Sequence, residues 1–208
     1  MKALKNLIIV GMTLCLSIMA AGMLRAEERI IPVVIRTSLG DITVALYPER
    51  APVTVDNFLK NMEAGLYRGG LFYRAVRLDN QRPAETTITL IQGGRNRAVE
   101  ARPPIVHETT EQTGILHRDG VISMARLAPG TADSEFFITI GDNPALDYGS
   151  DRNPDRQGYA AFGVVISGMD VVRKIQQQPT TAPVADPASP VRNQIMSRPV
   201  EILDIVRK

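Results

Sequence analysis

From residue 33 onward the apolar residues fall into short bursts separated by glycine, proline and charged residues. Val33-Val34-Ile35-Arg36-Thr37 and Asp41-Ile42-Thr43-Val44-Ala45-Leu46 are rich in β-branched residues and flank Ser38-Leu39-Gly40. This predicts an antiparallel hairpin whose glycine is free to take a positive φ. The period then changes. Pro52 and Thr54 precede Val55, Phe58, Leu59 and Met62, spaced i, i+3, i+4, i+7, and Gly65 follows. That spacing predicts an amphipathic helix of about three turns. Further β runs cover residues 71–77, 86–91, 121–125, 136–140, 161–166 and 202–206. Gly168-Met169-Asp170 introduces a second short helix through Val171, Val172 and Ile175, with Asp170 at its positive end. Many short strands with two helices favour a closed β-barrel under helical lids. Long connections, residues 93–120 and 141–159, are places where such folds carry function. The Pro-, Ala- and Thr-rich stretch 179–190 reads as an extended surface segment.

The first residues form a different pattern. Lys2 and Lys5 precede an apolar stretch from Leu7 to Leu24 and a small-residue ending at Ala26. This reads as an export signal over residues 1–26, with a globular domain over 27–208. Cleavage after Ala20 or Ala21, or retention as an N-terminal anchor, are the alternatives. Export places the domain outside the cytoplasm, with the periplasm as the expected compartment. Cys15, the one cysteine, leaves with the signal, so stability must come from a hydrophobic core and not from disulfides. Without Lys2, Lys5 and Arg25 the chain keeps 21 of its 24 basic residues against 22 acidic ones. With no basic stripe, no tryptophan and five residues each of Phe and Tyr, a nucleic-acid surface has no support.

Candidate chemistry centres on Phe72-Tyr73-Arg74, Leu90-Ile91-Gln92-Gly93-Gly94 and Ser134-Glu135-Phe136-Phe137-Ile138. A guanidinium stays charged and offers donors in a fixed plane, so it can grip an amide without proton transfer. His107 and His117 have neither helical metal-pair nor zinc-protease spacing, and read as loop caps or surface groups. Ser134 lacks the glycine-flanked elbow of a hydrolase nucleophile. Gly93-Gly94 has no following Lys-Ser/Thr, which argues for tight packing and against phosphate binding. Phe136 and Phe137 must face opposite sides of their strand, so only one can line a groove.

The ordered pieces TSLGDITVALYPERAPVTVDNFL, FYRAV, LIQGG, GVISMAR, SEFFITI, ALD, AAFGVVISGMDVV and EILDIV resemble a cyclophilin-type peptidyl-prolyl cis-trans isomerase over residues 33–207. The resemblance implies a mainly β fold, a closed eight-stranded antiparallel barrel capped by two α-helices, with the substrate groove on its outer face. It implies Arg74 as the catalytic residue that touches the prolyl peptide and Gln92 as a residue that anchors backbone and orients the site, with Leu90, Phe137 and Leu146 around the proline ring. Ala125 and Arg126 match the place where backbone meets the residue before proline. Glu135 and Tyr159 complete the implied substrate-binding set. No metal and no organic cofactor are expected. The implied partners are proline-containing unfolded or flexible polypeptides, bound by a monomer.

Departures bear on the rate more than the fold. Thr89 stands where the family usually has a phenylalanine of the proline pocket, and Glu135 where it usually has a glutamine. Ala145 replaces a usual aromatic, which predicts poor binding of cyclosporin-like inhibitors, and Tyr159 replaces a usual histidine. The expected function is therefore isomerisation of X–Pro bonds in exported proteins. Its competitors are a proline-peptide-binding module or chaperone with little turnover, and a barrel that holds small molecules in its interior.

Overall fold

In the computed structural model, which describes residues 28–82, 86–186 and 188–208, eight strands close into a barrel. They are β1 (Ile31–Thr37), β2 (Gly40–Leu46), β3 (Gly70–Val76), β4 (Leu90–Gly94), β5 (Val121–Met124), β6 (Phe136–Thr139), β7 (Ala160–Ser167) and β8 (Ile195–Arg207). Around the wall the order is β1-β2-β7-β5-β6-β4-β3-β8, and every pair is antiparallel. The expected export signal lies outside the described residues.

The hairpin β1-β2 turns as its sequence predicts. Thr37 pairs with Gly40, whose φ of 132° suits a residue without Cβ. Helix α1 (Pro52–Glu63) begins with Pro52 in its first turn, where a missing N–H costs nothing. Its N-terminus is capped from a distance: Glu108 accepts from the backbone N–H groups of Val53 and Thr54 at 3.1 and 2.8 Å, and from the Thr54 hydroxyl at 2.6 Å. The carboxylate also complements the positive helix end. Val55, Phe58, Leu59 and Met62 are buried, as the helical period requires. Helix α3 (Met169–Gln176) buries Val172 and Ile175. A third helix, the single turn α2 (Thr110–Thr113), is an addition to the two expected; Thr109 and Gln112 cap it reciprocally.

Side chains fill the barrel. Ile35, Val44, Ile91, Ile122, Ile138 and Phe162 are fully buried within one continuous cluster. An eight-stranded barrel is just wide enough for such filling, which removes the reading of an interior ligand site. At one end Phe58 packs on Tyr67, Phe136 and Phe162 at ring-centroid separations of 5.1, 5.7 and 5.2 Å. Each such pair adds about 0.5–1.5 kcal/mol beyond the area it buries.

Two strands differ from their sequence patterns. The run 86–91 enters the ladder only at Leu90, because side chains replace its earlier partners. Gln81 bonds both the N–H and the carbonyl of Ile88, at 3.0 and 2.9 Å, and Asn143 Oδ1 accepts from Thr89 N–H at 2.6 Å. Conversely β8 begins seven residues before the expected 202–206, at Ile195. Pro199 hid that start. It lies in an irregularity where the register jumps from Val200 opposite Phe72 to Ile195 opposite Arg74, so its missing N–H breaks no paired rung.

Candidate active site

Three adjacent strands carry one row of residues across the outer wall. Arg74 on β3 is opposite Gln92 on β4, which is opposite Phe137 on β6. Strand alternation alone would put Phe72 and Arg74 on the same side. The register shift between them, with Tyr73 as the extra residue, resolves this. Phe72 enters the barrel core while Arg74 and Tyr73 reach Gln92 on the outside. Phe136 and Phe137 divide as expected: Phe136 belongs to the core and Phe137 to a separate small cluster on the outer face.

The guanidinium of Arg74 is held by two neutral amides. Its Nε and Nη2 donate to the Gln194 side-chain oxygen at 2.9 and 2.6 Å, and its Nη1 donates to the Gln92 oxygen at 2.8 Å. Of five guanidinium N–H bonds, two have no acceptor among the described residues, one on each Nη. Burial lowers the Arg74 pKa from its usual value, but a guanidinium remains charged at any pH of interest.

Gln92 is itself oriented. Its Nε2 donates to the Tyr73 hydroxyl at 2.8 Å, which turns its oxygen toward Arg74. The Tyr73 hydroxyl in turn interacts with the Glu135 carboxylate. Burial, and then the charge of Glu135, push the Tyr73 phenol well above its usual pKa. Burial raises the Glu135 carboxyl too, against the opposing pull of the Tyr73 hydroxyl and Arg97. Its Oε2 is buried with no hydrogen-bond partner among the described residues. Gly94 makes room for this side chain, since a Cβ there would lie 2.5 Å from the carboxyl carbon. Beyond Tyr73 and Glu135 opens a cavity of about 480 Å³ walled by Leu71, Ile195 and Arg97.

Beside this polar row lies an apolar cluster of Val76, Ile88, Leu90, Phe137, Ala145 and Leu146, with Ala125 and Tyr159 packed against it. Ala145 and Leu146 come from a 3-10 turn, Pro144–Leu146, in the long connection after β6. The Tyr159 ring meets Phe137 edge-on at 5.4 Å and 87°. The structure thus brings together Leu90, Phe137, Leu146, Ala125 and Tyr159, next to Arg74, Gln92 and Glu135. Thr89 takes no part in the cluster; its hydroxyl donates to the carbonyl of Ile140.

Arg126 sits differently. Its side chain is 1% exposed, paired with both carboxylate oxygens of Asp155 at 2.7 and 2.8 Å and bonded to the Gly158 carbonyl at 2.8 Å. Its guanidinium also lies 5.1 Å from the Tyr159 ring centroid. These bonds hold the Asp155 carboxyl down to about 2 and tie its loop to the cluster. Only the backbone of Arg126 remains for a substrate.

The surface reading of His117 is overturned. This side chain is 1% exposed, stacks on Phe137 at 5.8 Å, and places Nδ1 2.7 Å from Asp147 Oδ1 and Nε2 3.0 Å from Ser123 Oγ. The carboxylate oxygen accepts from Nδ1–H, and Nε2 shares a hydrogen bond with the serine hydroxyl. Serine, histidine and aspartate in this order resemble a hydrolytic triad, but Ser123 is fully buried within β5 and no substrate can reach its Oγ. The chain supports Phe137 from behind. His107 is half-buried, its Nε2 3.1 Å from the Gln157 carbonyl. Neither His117 nor Gln194 has a local sequence signal for its place; only the closure of the barrel brings them in.

The model of the family described as cyclophilin type peptidyl-prolyl cis-trans isomerase/CLD matches residues 32–204. This chain belongs to that family. Peptidyl-prolyl cis-trans isomerase A of Dickeya dadantii is 34% identical over 175 residues, covering 82% of this chain and 80% of the relative. A peptidyl-prolyl cis-trans isomerase of Acinetobacter baylyi is 32% identical over 177 residues, covering 82% and 81%. Peptidyl-prolyl cis-trans isomerase B of Escherichia coli is 33% identical over 149 residues, covering 69% and 83%. Among solved structures, a Cryptosporidium parvum cyclophilin type isomerase superposes with a TM-score of 0.65 at 23% identity, covering 86% of this chain and 98% of that one. A second structure of it, in the presence of the dipeptide Ala-Pro, gives 0.64. These two share the cyclophilin barrel.

Proposed function

We propose that this cyclophilin isomerises X–Pro bonds in flexible segments of exported polypeptides, with Arg74 as the group that acts on the reacting amide. The observation that carries this is the pair of uncommitted Arg74 N–H bonds beside the Leu90–Phe137–Leu146 cluster. Resonance makes X–Pro rotation slow, with a barrier of roughly 18–20 kcal/mol. Twisting removes the resonance and leaves a lone pair on the prolyl nitrogen. A fixed guanidinium bonds that nitrogen better than the flat ground state, which is the differential binding catalysis requires. One charge-assisted hydrogen bond of about 1.5–3 kcal/mol accounts for roughly 10- to 150-fold in rate. The remainder comes from holding the ring in the apolar cluster while the preceding carbonyl turns. No acid, base or nucleophile enters.

The competing reading is a proline-peptide-binding module. The plain wall left by Thr89, which lends no side chain to the pocket, favours it. Protease-free NMR exchange on an X–Pro peptide separates the two: catalysis gives exchange cross-peaks at substoichiometric protein. Saturable peptide shifts without accelerated exchange would establish the binding module instead. The export expected from residues 1–26 is checked by mass spectrometry of protein recovered from the periplasm. A mature N-terminus at Glu27 is the expected result, and an intact Met1 in a cytoplasmic fraction would contradict it.

A further inference from the structure

We infer that Gln194 is a positioning residue that holds Arg74 in place while leaving its charge undiminished; the inference rests on the isomerase reading. Gln194 is 3% exposed and sits immediately before β8, where its carbonyl accepts from Ala75 N–H at 2.9 Å. Its Oε1 receives two N–H bonds from one edge of the guanidinium, a chelate that fixes both the position and the plane of the group. The orientation of the amide is set from behind, where Nε2 lies 3.5 Å from the Asn80 carbonyl. Asn80 is braced in turn, donating to the Ala75 carbonyl at 3.0 Å and accepting from Arg77 N–H at 2.8 Å.

The chemistry of the partner matters as much as its geometry. A buried cation is ordinarily paired with a carboxylate. Here, among the described residues, no carboxylate pairs with Arg74: the phenols of Tyr73 on β3 and Tyr159 just before β7 lie near it, Arg152 in the preceding loop is a like charge, and its hydrogen-bond partners Gln92 and Gln194 are neutral amides. Two amide dipoles solvate the guanidinium without cancelling it. Its full charge therefore remains for the lone pair that develops on the twisted imide. A carboxylate at position 194 could accept from the same two N–H groups, but it would lose the donor that faces the Asn80 carbonyl and would spend that charge on the protein.

The test measures exchange rate at saturating peptide, and peptide affinity, for wild type, Gln194→Ala, Gln194→Glu and Arg74→Ala, with each alanine change also combined. Gln194→Ala should lower the saturated rate about tenfold with little change in affinity, and have no further effect in the Arg74→Ala background. Gln194→Glu should be slow at pH 8 and recover toward wild type as pH falls and the introduced carboxylate is protonated. The same profile is read in the Arg74→Ala background, where a charge effect exerted through Arg74 disappears and a structural disturbance from the lost Asn80 contact persists. Equal rates for Gln194→Glu and wild type across pH, or a Gln194→Ala loss that persists in full without Arg74, would overturn the inference. Should Arg74→Ala itself exchange as fast as wild type, the isomerase reading fails first, and the inference with it.

Discussion

At the scale of single residues, the site is a set of neutral and buried groups arranged around one cation. Glu135 is the exception, a carboxyl held against Gly94 with an unpartnered oxygen. Its pKa lies above the ordinary 4.5 in the folded chain, with burial as the main cause. Folding therefore favours its protonated form: this contribution to stability is full below the unfolded value and is lost as pH rises through the raised folded one. Glu135→Gln should accordingly raise Tm at pH 7, with a gap over wild type that closes toward pH 4; a gap that widens on acidification would contradict the assignment. The sequence made Arg74, Gln92 and Phe137 legible because each lies in a short motif. It left Gln194 and His117 unread, since Gln194 follows a Pro-rich stretch and His117 lies 30 residues before Asp147, the carboxylate that orients it.

At the scale of elements, long connections supply what the short strands cannot. Glu108 caps α1 from a loop more than fifty residues away, and Asp155 is pinned by Arg126. Glu108→Ala removes acceptors from two backbone N–H groups, and should lower Tm by about 2–8 °C with the saturated exchange rate unchanged. An unchanged Tm would show that water satisfies the helix end equally well. Periodicity revealed the hairpin, α1 and α3 because one face of each is buried. It failed at 86–89, where Gln81 and Asn143 side chains take the place of a ladder partner, and at Ile195, where Pro199 masks an irregular strand. Hydrogen bonds made by side chains from elsewhere in the chain leave no mark on local pattern.

At the scale of the whole molecule, the barrel is a filled support and its outer wall is the working surface. The interior cluster fixes the β3, β4 and β6 strands, and their register sets Arg74, Gln92 and Phe137 side by side. No cysteine follows Cys15, so this core must carry stability without disulfides. The central claim is that Arg74 binds the rotated amide more strongly than the planar one. Its most direct test is to measure, on one X–Pro peptide, both the dissociation constant and the saturated exchange rate for wild type and Arg74→Ala. The expected result for Arg74→Ala is a dissociation constant within about threefold of wild type and an exchange rate lower by about tenfold or more. An affinity loss as large as the rate loss, or an unchanged rate, would mean that Arg74 holds the peptide without helping it turn.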